Sequence, residues 1–148
     1  MLPDEACSRP IRIRREGGVM MPRARQITAV LENKPGELAK LCEALHKRDV
    51  NITALMVVEG RARIMVDDSQ RASEVLTEMG IPYSDAEVIV LEIPDKPGAV
   101  AEVADKMAKA GINIDYAFAS TVPGRGTATV VFAVSDVNGA SRIVNTSE

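Results

Sequence analysis

Residues 32–39, Glu-Asn-Lys-Pro-Gly-Glu-Leu-Ala (ENKPGELA), set a Pro-Gly corner directly before a segment of helical apolar period. Upstream, Gln26–Glu32 (QITAVLE) is β-branched and apolar and predicts a buried strand. Downstream, Leu38, Leu41, Cys42 and Leu45 recur at i, i+3, i+4 and i+7, one face of an amphipathic helix over 37–47. Residues 51–59 (NITALMVVE) and 61–68 (RARIMVDD) read as strands about a tight turn at Gly60-Arg61. Ser69 has N-cap chemistry for a helix over 69–79, stopped by Gly80 and Pro82. A short strand in 81–87 (IPYSDAE) completes the order β-α-β-β-α-β.

The chain then repeats that order. Residues 88–94 (VIVLEIP) predict a strand, 95–98 (DKPG) the corner, and 99–111 a helix with Val100, Val103, Ala104 and Met107 on one face. Residues 113–120 and 127–134 form a hairpin around Pro123-Gly124-Arg125-Gly126. Pro35 matches Pro97, Gly36 matches Gly98 and Asn51 matches Asn113 at an ungapped offset of 62, so the chain carries an internal duplication. The second hairpin is longer than the first. The last residues, 135–148, hold a weak helical pattern and no clear final strand. The expected fold is therefore α+β, two ferredoxin-like βαββαβ units with antiparallel sheets and helices on one face, the second unit truncated at its C-terminus. The boundaries expected are a disordered extension over 1–24, a first unit over 25–87 and a second over 88–148.

Each corner has a chemical reading. Asn33 and Asp95 stand where a side chain can cap the following helix. Pro35 and Pro97 fall where a lost N–H costs nothing, and Gly36 and Gly98 allow close approach. The result is a positive helix terminus suited to a carboxylate or phosphate. After each helix comes Asn-Ile, Asn51-Ile52 and Asn113-Ile114, whose amides offer both a donor and an acceptor. On the residues alone, a capped turn that shapes a loop accounts for each corner equally well.

A strand followed by (N/D)-K-P-G, an amphipathic helix and then N-I resembles the ACT domain, a regulatory amino-acid-binding module with a ferredoxin-like fold. Over about residues 26–148 the chain is similar to small tandem ACT proteins. The resemblance implies an effector, usually an amino acid, held where two ACT units meet. It points to Asn33, Lys34, Pro35, Gly36, Asn51 and Ile52, and to Asp95, Lys96, Pro97, Gly98, Asn113 and Ile114. Three features depart from that pattern. The first hairpin is short, Asp49 stands where the second copy has Gly111, and the C-terminal closure is missing.

Bulk composition narrows the alternatives. The 148 residues are 46% hydrophobic and 26% charged, as in a globular protein. Two Tyr, two Phe and no Trp leave few platforms for stacking bases. The net charge of −3 divides into +3 for residues 1–25, rich in Arg, and −6 for the rest. An acidic body argues against nucleic-acid binding; the weaker reading of the arm is a contact for an anionic partner. Cys7 and Cys42 form no redox or zinc spacing, no apolar run is long enough for a membrane span, and no signal-peptide core is present, so a cytoplasmic location is expected. Cys42 and His46, four apart on a helix, read as a packed thiol beside a surface imidazole. With His46 the only histidine, no catalytic triad or multi-His zinc site can be assembled. Gly124-Arg125-Gly126 sits between strands and reads as a turn. Asp67-Asp68 and Glu102/Asp105 read as solvated surface.

The functional expectation is a non-catalytic regulatory protein, needing no cofactor or metal. It binds a small amino acid between ACT units or across a homodimer and transmits this to a partner enzyme or regulator. The alternative is an interaction or oligomerisation module whose ligand sites have degenerated.

Overall fold

The computed structural model describes residues 15–16, 19–20 and 23–145. The expectation of a disordered extension over 1–24 lies mostly outside the described residues. Within that stretch, β1 (Arg15–Glu16) pairs antiparallel with β2 (Val19–Met20). The first long strand, β3 (Arg23–Val30), begins three residues earlier than the apolar pattern indicates. The chain divides into two compact units, Arg25–Glu87 and a second comprising Val88–Glu148 with Met1–Ala24.

In the first unit β3 leads through the corner to α1 (Glu37–Lys47), then β4 (Ile52–Val58), β5 (Arg61–Val66), α2 (Ser69–Glu78) and the start of β6 (Tyr83–Pro94). Strand order is β4-β5-β3-β6, and β5 runs antiparallel to both β3 and β4. Leu41 and Leu45 of α1 and Ala72, Val75 and Leu76 of α2 pack on Ile27, Ala29, Ala62 and Ile64, all buried. Each large aliphatic side chain buried this way contributes about 1.5–3 kcal/mol.

The second unit continues along β6 into α3 (Ala99–Lys109), β7 (Ile114–Thr121), β8 (Thr127–Val134) and α4 (Val137–Asn145). Its strand order is β6-β8-β7, antiparallel throughout. Ile89, Ile93, Val130 and Phe132 pack against Met107 and Ala140. Among the described residues no strand follows α4.

Several local details differ from the sequence reading. The two strand patterns at 81–87 and 88–94 merge into the single twelve-residue β6. The first hairpin turns at Glu59-Gly60, both at positive φ (48° and 83°), because such a turn follows the strand twist; Arg61 is already in β5. The cap of α2 is Asp68, whose carboxylate accepts the Arg71 N–H at 3.0 Å, and Ser69 is the first helical residue. Val100 is 51% exposed, and Ala99 supplies the core contact at the start of α3. Asp49 takes the left-handed conformation (φ 57°) that Gly111 takes in the second unit, so both helices end in the same geometry. Asp49 N–H donates to His46 O and Gly111 N–H to Ala108 O, each at 3.0 Å.

Candidate functional site: two Pro-Gly corners and two Asn-Ile strand starts

The two corners share two backbone bonds, and the second adds a third, from Ala99 N–H to Lys96 O at 3.3 Å. Lys34 N–H donates to Glu32 O and Lys96 N–H to Pro94 O, each at 3.0 Å. Lys40 N–H bonds Gly36 O and Glu102 N–H bonds Gly98 O, again at 3.0 Å. The residue at each helix N-cap is the glycine, at φ 88°, and no side chain bonds either helix start. This corrects the expected role of Asn33 and Asp95: they lie before the cap and leave the first-turn N–H groups untouched. Pro35 and Pro97 likewise precede the helix rather than opening it. A Cβ at Gly36 or Gly98 would meet nothing within 4 Å, so positive φ, not crowding, requires glycine. Asn33, Lys34, Pro35 and Gly36, and Asp95, Lys96, Pro97 and Gly98, are all exposed.

The corners differ in charge. Lys34 Nζ lies 2.7 Å from Glu32 Oε2 and 3.8 Å from Glu37 Oε1, and Glu37 also takes Lys40 at 3.2 Å. The hydrogen bond from Lys34, then its charge, holds the Glu32 carboxyl below the usual carboxylate value; the same bond raises Lys34. In the second corner, Pro94 and Ala99 stand where the first has Glu32 and Glu37. Lys96 there forms no ion pair among the described residues. The 62-residue offset already displayed both replacements, and aligning the flanks with the motif would have exposed the asymmetry.

The Asn-Ile starts repeat as well. Asn51 N–H donates to Asp67 Oδ1 at 2.9 Å, and Asn113 N–H donates to Ser135 Oγ at 3.0 Å. Asp67 N–H returns a bond to Asn51 O, as Ser135 N–H does to Asn113 O. Asp68 caps α2 as Asp136 bonds the Gly139 N–H at the start of α4. The Asp67-Asp68 pair therefore ties strand to helix, a role the surface reading missed. Asn113 Nδ2 also donates to Asp115 Oδ1 at 2.9 Å, placing a carboxylate beside this amide; the first unit has Thr53 there. Ile52 and Ile114 are half-buried and join their cores.

Strand register decides what these pieces can do together. Val30 and Val58 both lie opposite Arg61, beside the corner, whereas Ile52 lies opposite Val66. In the second unit Pro94 pairs with Thr127 and Ile114 with Val134. Within one unit the corner and the Asn-Ile start thus occupy opposite ends of the sheet, roughly 20 Å apart at about 3.3 Å per residue. Neither unit by itself brings its predicted residues into one site.

Among the described residues, no group of three or more His, Cys, Asp or Glu side chains is placed to hold a metal, and no helix is long and apolar enough to cross a membrane. Cys42 is a half-buried free thiol and His46 is exposed.

With that geometry in place, the chain matches the family described as the ACT domain pair over residues 22–146. It belongs to the ACT domain pair family. Among solved structures it is similar to protein BT0572 from Bacteroides thetaiotaomicron, at 28% identity over 83% of this chain and 87% of that one, with a TM-score of 0.78. The regulatory subunit of aspartate kinase from Thermus flavus shares the fold at 20% identity, covering 84% and 91% of the two chains, TM-score 0.60. Aspartokinase III from E. coli, in complex with lysine and aspartate, shares it at 13% identity over 83% of this chain and 30% of that one, TM-score 0.55. No curated protein matches. In this ACT pair, each unit contributes a corner at one end and an Asn-Ile start at the other.

Proposed function

We propose that this ACT pair is a non-catalytic sensor of a small amino acid, read by a partner enzyme or regulator. The observation that carries the reading is the duplicated glycine-capped helix start with no side chain on its first-turn N–H groups. Such a terminus favours a carboxylate through donors that no side chain caps and its positive dipole end, although at the second corner the Ala99 N–H already bonds Lys96 O at 3.3 Å. At the second corner Lys96 adds a cation without an ion pair among the described residues, and half-exposed Val100 adds an apolar contact for a ligand side chain. At the far end of the unit, Asn113 and Asp115 offer acceptors to an ammonium group. Because these two ends lie apart within one unit, a complete site takes the corner from one ACT unit and the Asn-Ile start from another. A homodimer supplies this by setting the second-unit corner of one chain against Asn113 of its partner. Regulation follows when the amino acid prefers one packing arrangement over another.

The likeness to an aspartokinase crystallised with lysine and aspartate makes those two the first to try, within a panel of the common amino acids. Thermal unfolding of the full chain should rise by roughly 5–10 °C with one or two of them at a hundredfold excess over Kd. Sedimentation should show a dimer that persists or tightens with the same ligand. A flat panel with a stable dimer would instead favour an assembly module, a reading supported by the exposed Leu55, Val57 and Val58 on edge strand β4.

A further inference from the structure

We propose that edge strand β7 pairs antiparallel with β7 of a second copy, so that Lys96 of each copy meets Asp115 of the other. The proposal rests on the amino-acid-sensor reading, which needs a corner from one unit beside an Asn-Ile start from another. Strand β7 ends the sheet and bonds only β8, so its outer edge is open. Asp115 is an extra residue there, set between the pairs Ile114–Val134 and Tyr116–Ala133. Beyond this bulge, residues 116–121 hold no charge and no proline, the usual guards against strand addition. Ala117 and Ala119 lie opposite Phe132 and Val130 of the helix-side core, and both are small and exposed. The corner lies at the Thr121 end of β7 and Asn113 at the Ile114 end. Laying β7 antiparallel to itself therefore sets each corner beside the other copy's Asn-Ile start, twice, about a two-fold axis.

Charge selects this edge over the other one. Edge strand β4 is also open and uncharged, and it offers larger apolar groups in Leu55 and Val57. At its ends, however, Lys34 already pairs with Glu32 and Glu37. Thr53 stands there in place of Asp115, its hydroxyl donated to Met65 O at 3.1 Å. Lys96, by contrast, forms no ion pair among the described residues, and exposed Asp115 accepts the Asn113 amide without any cation beside it among them. Pairing β7 with itself gives each of these charges an opposite partner, whereas pairing β4 with itself gives none. An amino acid at the seam replaces that ion pair, its carboxylate on Lys96 and its ammonium on Asp115 of the other copy.

The test is disulfide capture between copies. The full chain carrying Cys7→Ser and Cys42→Ser takes one new cysteine at a time: Ala117→Cys, Phe118→Cys or Ala119→Cys on β7, and Leu55→Cys, Met56→Cys or Val57→Cys on β4. Near a two-fold axis a strand residue meets its own copy within disulfide reach. At least one β7 variant should cross-link about tenfold faster than every β4 variant. Lys96→Glu and Asp115→Lys should each raise the dimer dissociation constant about tenfold in sedimentation, and the double variant should restore it to within about threefold. Circular dichroism checks folding, and three positions on each strand keep one misfolded variant from deciding. Cysteines on β7 that stay reduced, faster capture on β4, or a double variant no tighter than the singles would overturn the proposal. Capture on β7 with a flat amino-acid panel would keep the seam and remove the sensor. Amino-acid binding without capture on β7 would keep the sensor and remove the seam.

Discussion

The two Pro-Gly corners share a backbone and differ in charge. Both place glycine at φ 88° at the helix start and share two backbone bonds at 3.0 Å, the second adding one from Ala99 N–H to Lys96 O at 3.3 Å. Around the first, Glu32 and Glu37 engage Lys34; around the second, Pro94 and Ala99 leave Lys96 uncommitted among the described residues. Duplication has therefore preserved a shape without preserving a chemistry. An anionic ligand at the first corner must compete with two carboxylates already present, while at the second it meets none in those places.

The sharpest structural test of equivalence lies at the hairpins beside the corners. Gly60 O accepts Leu31 N–H, and a Cβ on Gly60 would sit 2.5 Å from Leu31 O; one on Gly126, whose carbonyl accepts Asp95 N–H, would meet nothing within 4 Å. Gly60→Ala should cost about 3–5 kcal/mol by denaturant unfolding, from crowding and positive φ together. Gly126→Ala should cost only about 1–2 kcal/mol, from positive φ alone. Equal costs would break the distinction.

Ligand binding sharpens the charge comparison. Lys96→Ala should weaken amino-acid affinity about 10- to 100-fold, the span of one charge-assisted bond, while Lys34→Ala should leave it within about twofold. Calorimetry on both variants checks this. A larger loss at Lys34 would reverse the assignment of the active corner.

A smaller effect separates the helix ends. Asp49→Gly should stabilise the chain by about 0.5 kcal/mol, since glycine adopts positive φ without steric cost, and Gly111→Asp should destabilise it by a similar amount. Thermal melts of the pair should shift in opposite directions.

The smallest effect is electrostatic. Glu32 should titrate by NMR below the usual carboxylate midpoint and return toward it in Lys34→Ala, because its hydrogen bond to Lys34 favours the charged form. A lowered folded pKa means that this contribution is full above the unfolded value and fades as pH falls through the folded one. An unchanged midpoint in the variant would remove the self-neutralised corner.

How far the sequence could be read varies with the range of the interaction. The apolar spacing of Leu38, Leu41 and Leu45 is a property of adjacent turns, and it located α1 and its buried face. The one exposed exception, Val100, shows the limit: helical period gives a face, but whether its first turn is covered depends on what packs above it. Asn33 and Asp95 had the right chemistry for caps, yet the left-handed glycines carry the chain past them before the helix begins. The carboxylate pair Asp67-Asp68 offered no local clue that one member would return to Asn51, sixteen residues earlier.

By itself, the sequence determined the element order from β3 onward, save that two expected strands are the single β6, the duplication at an offset of 62, and the recurrence of a Pro-Gly corner and an Asn-Ile strand start in each copy. Those are short-range patterns, written in periodicity and in the backbone freedom of single residues. Only the tertiary structure decided that corner and Asn-Ile start lie at opposite ends of each sheet. That outcome is fixed by strand register, with Val30 and Val58 meeting Arg61 while Ile52 meets Val66. Register is set by pairing between distant segments, so no local pattern could show that corner and Asn-Ile start lie apart within one unit.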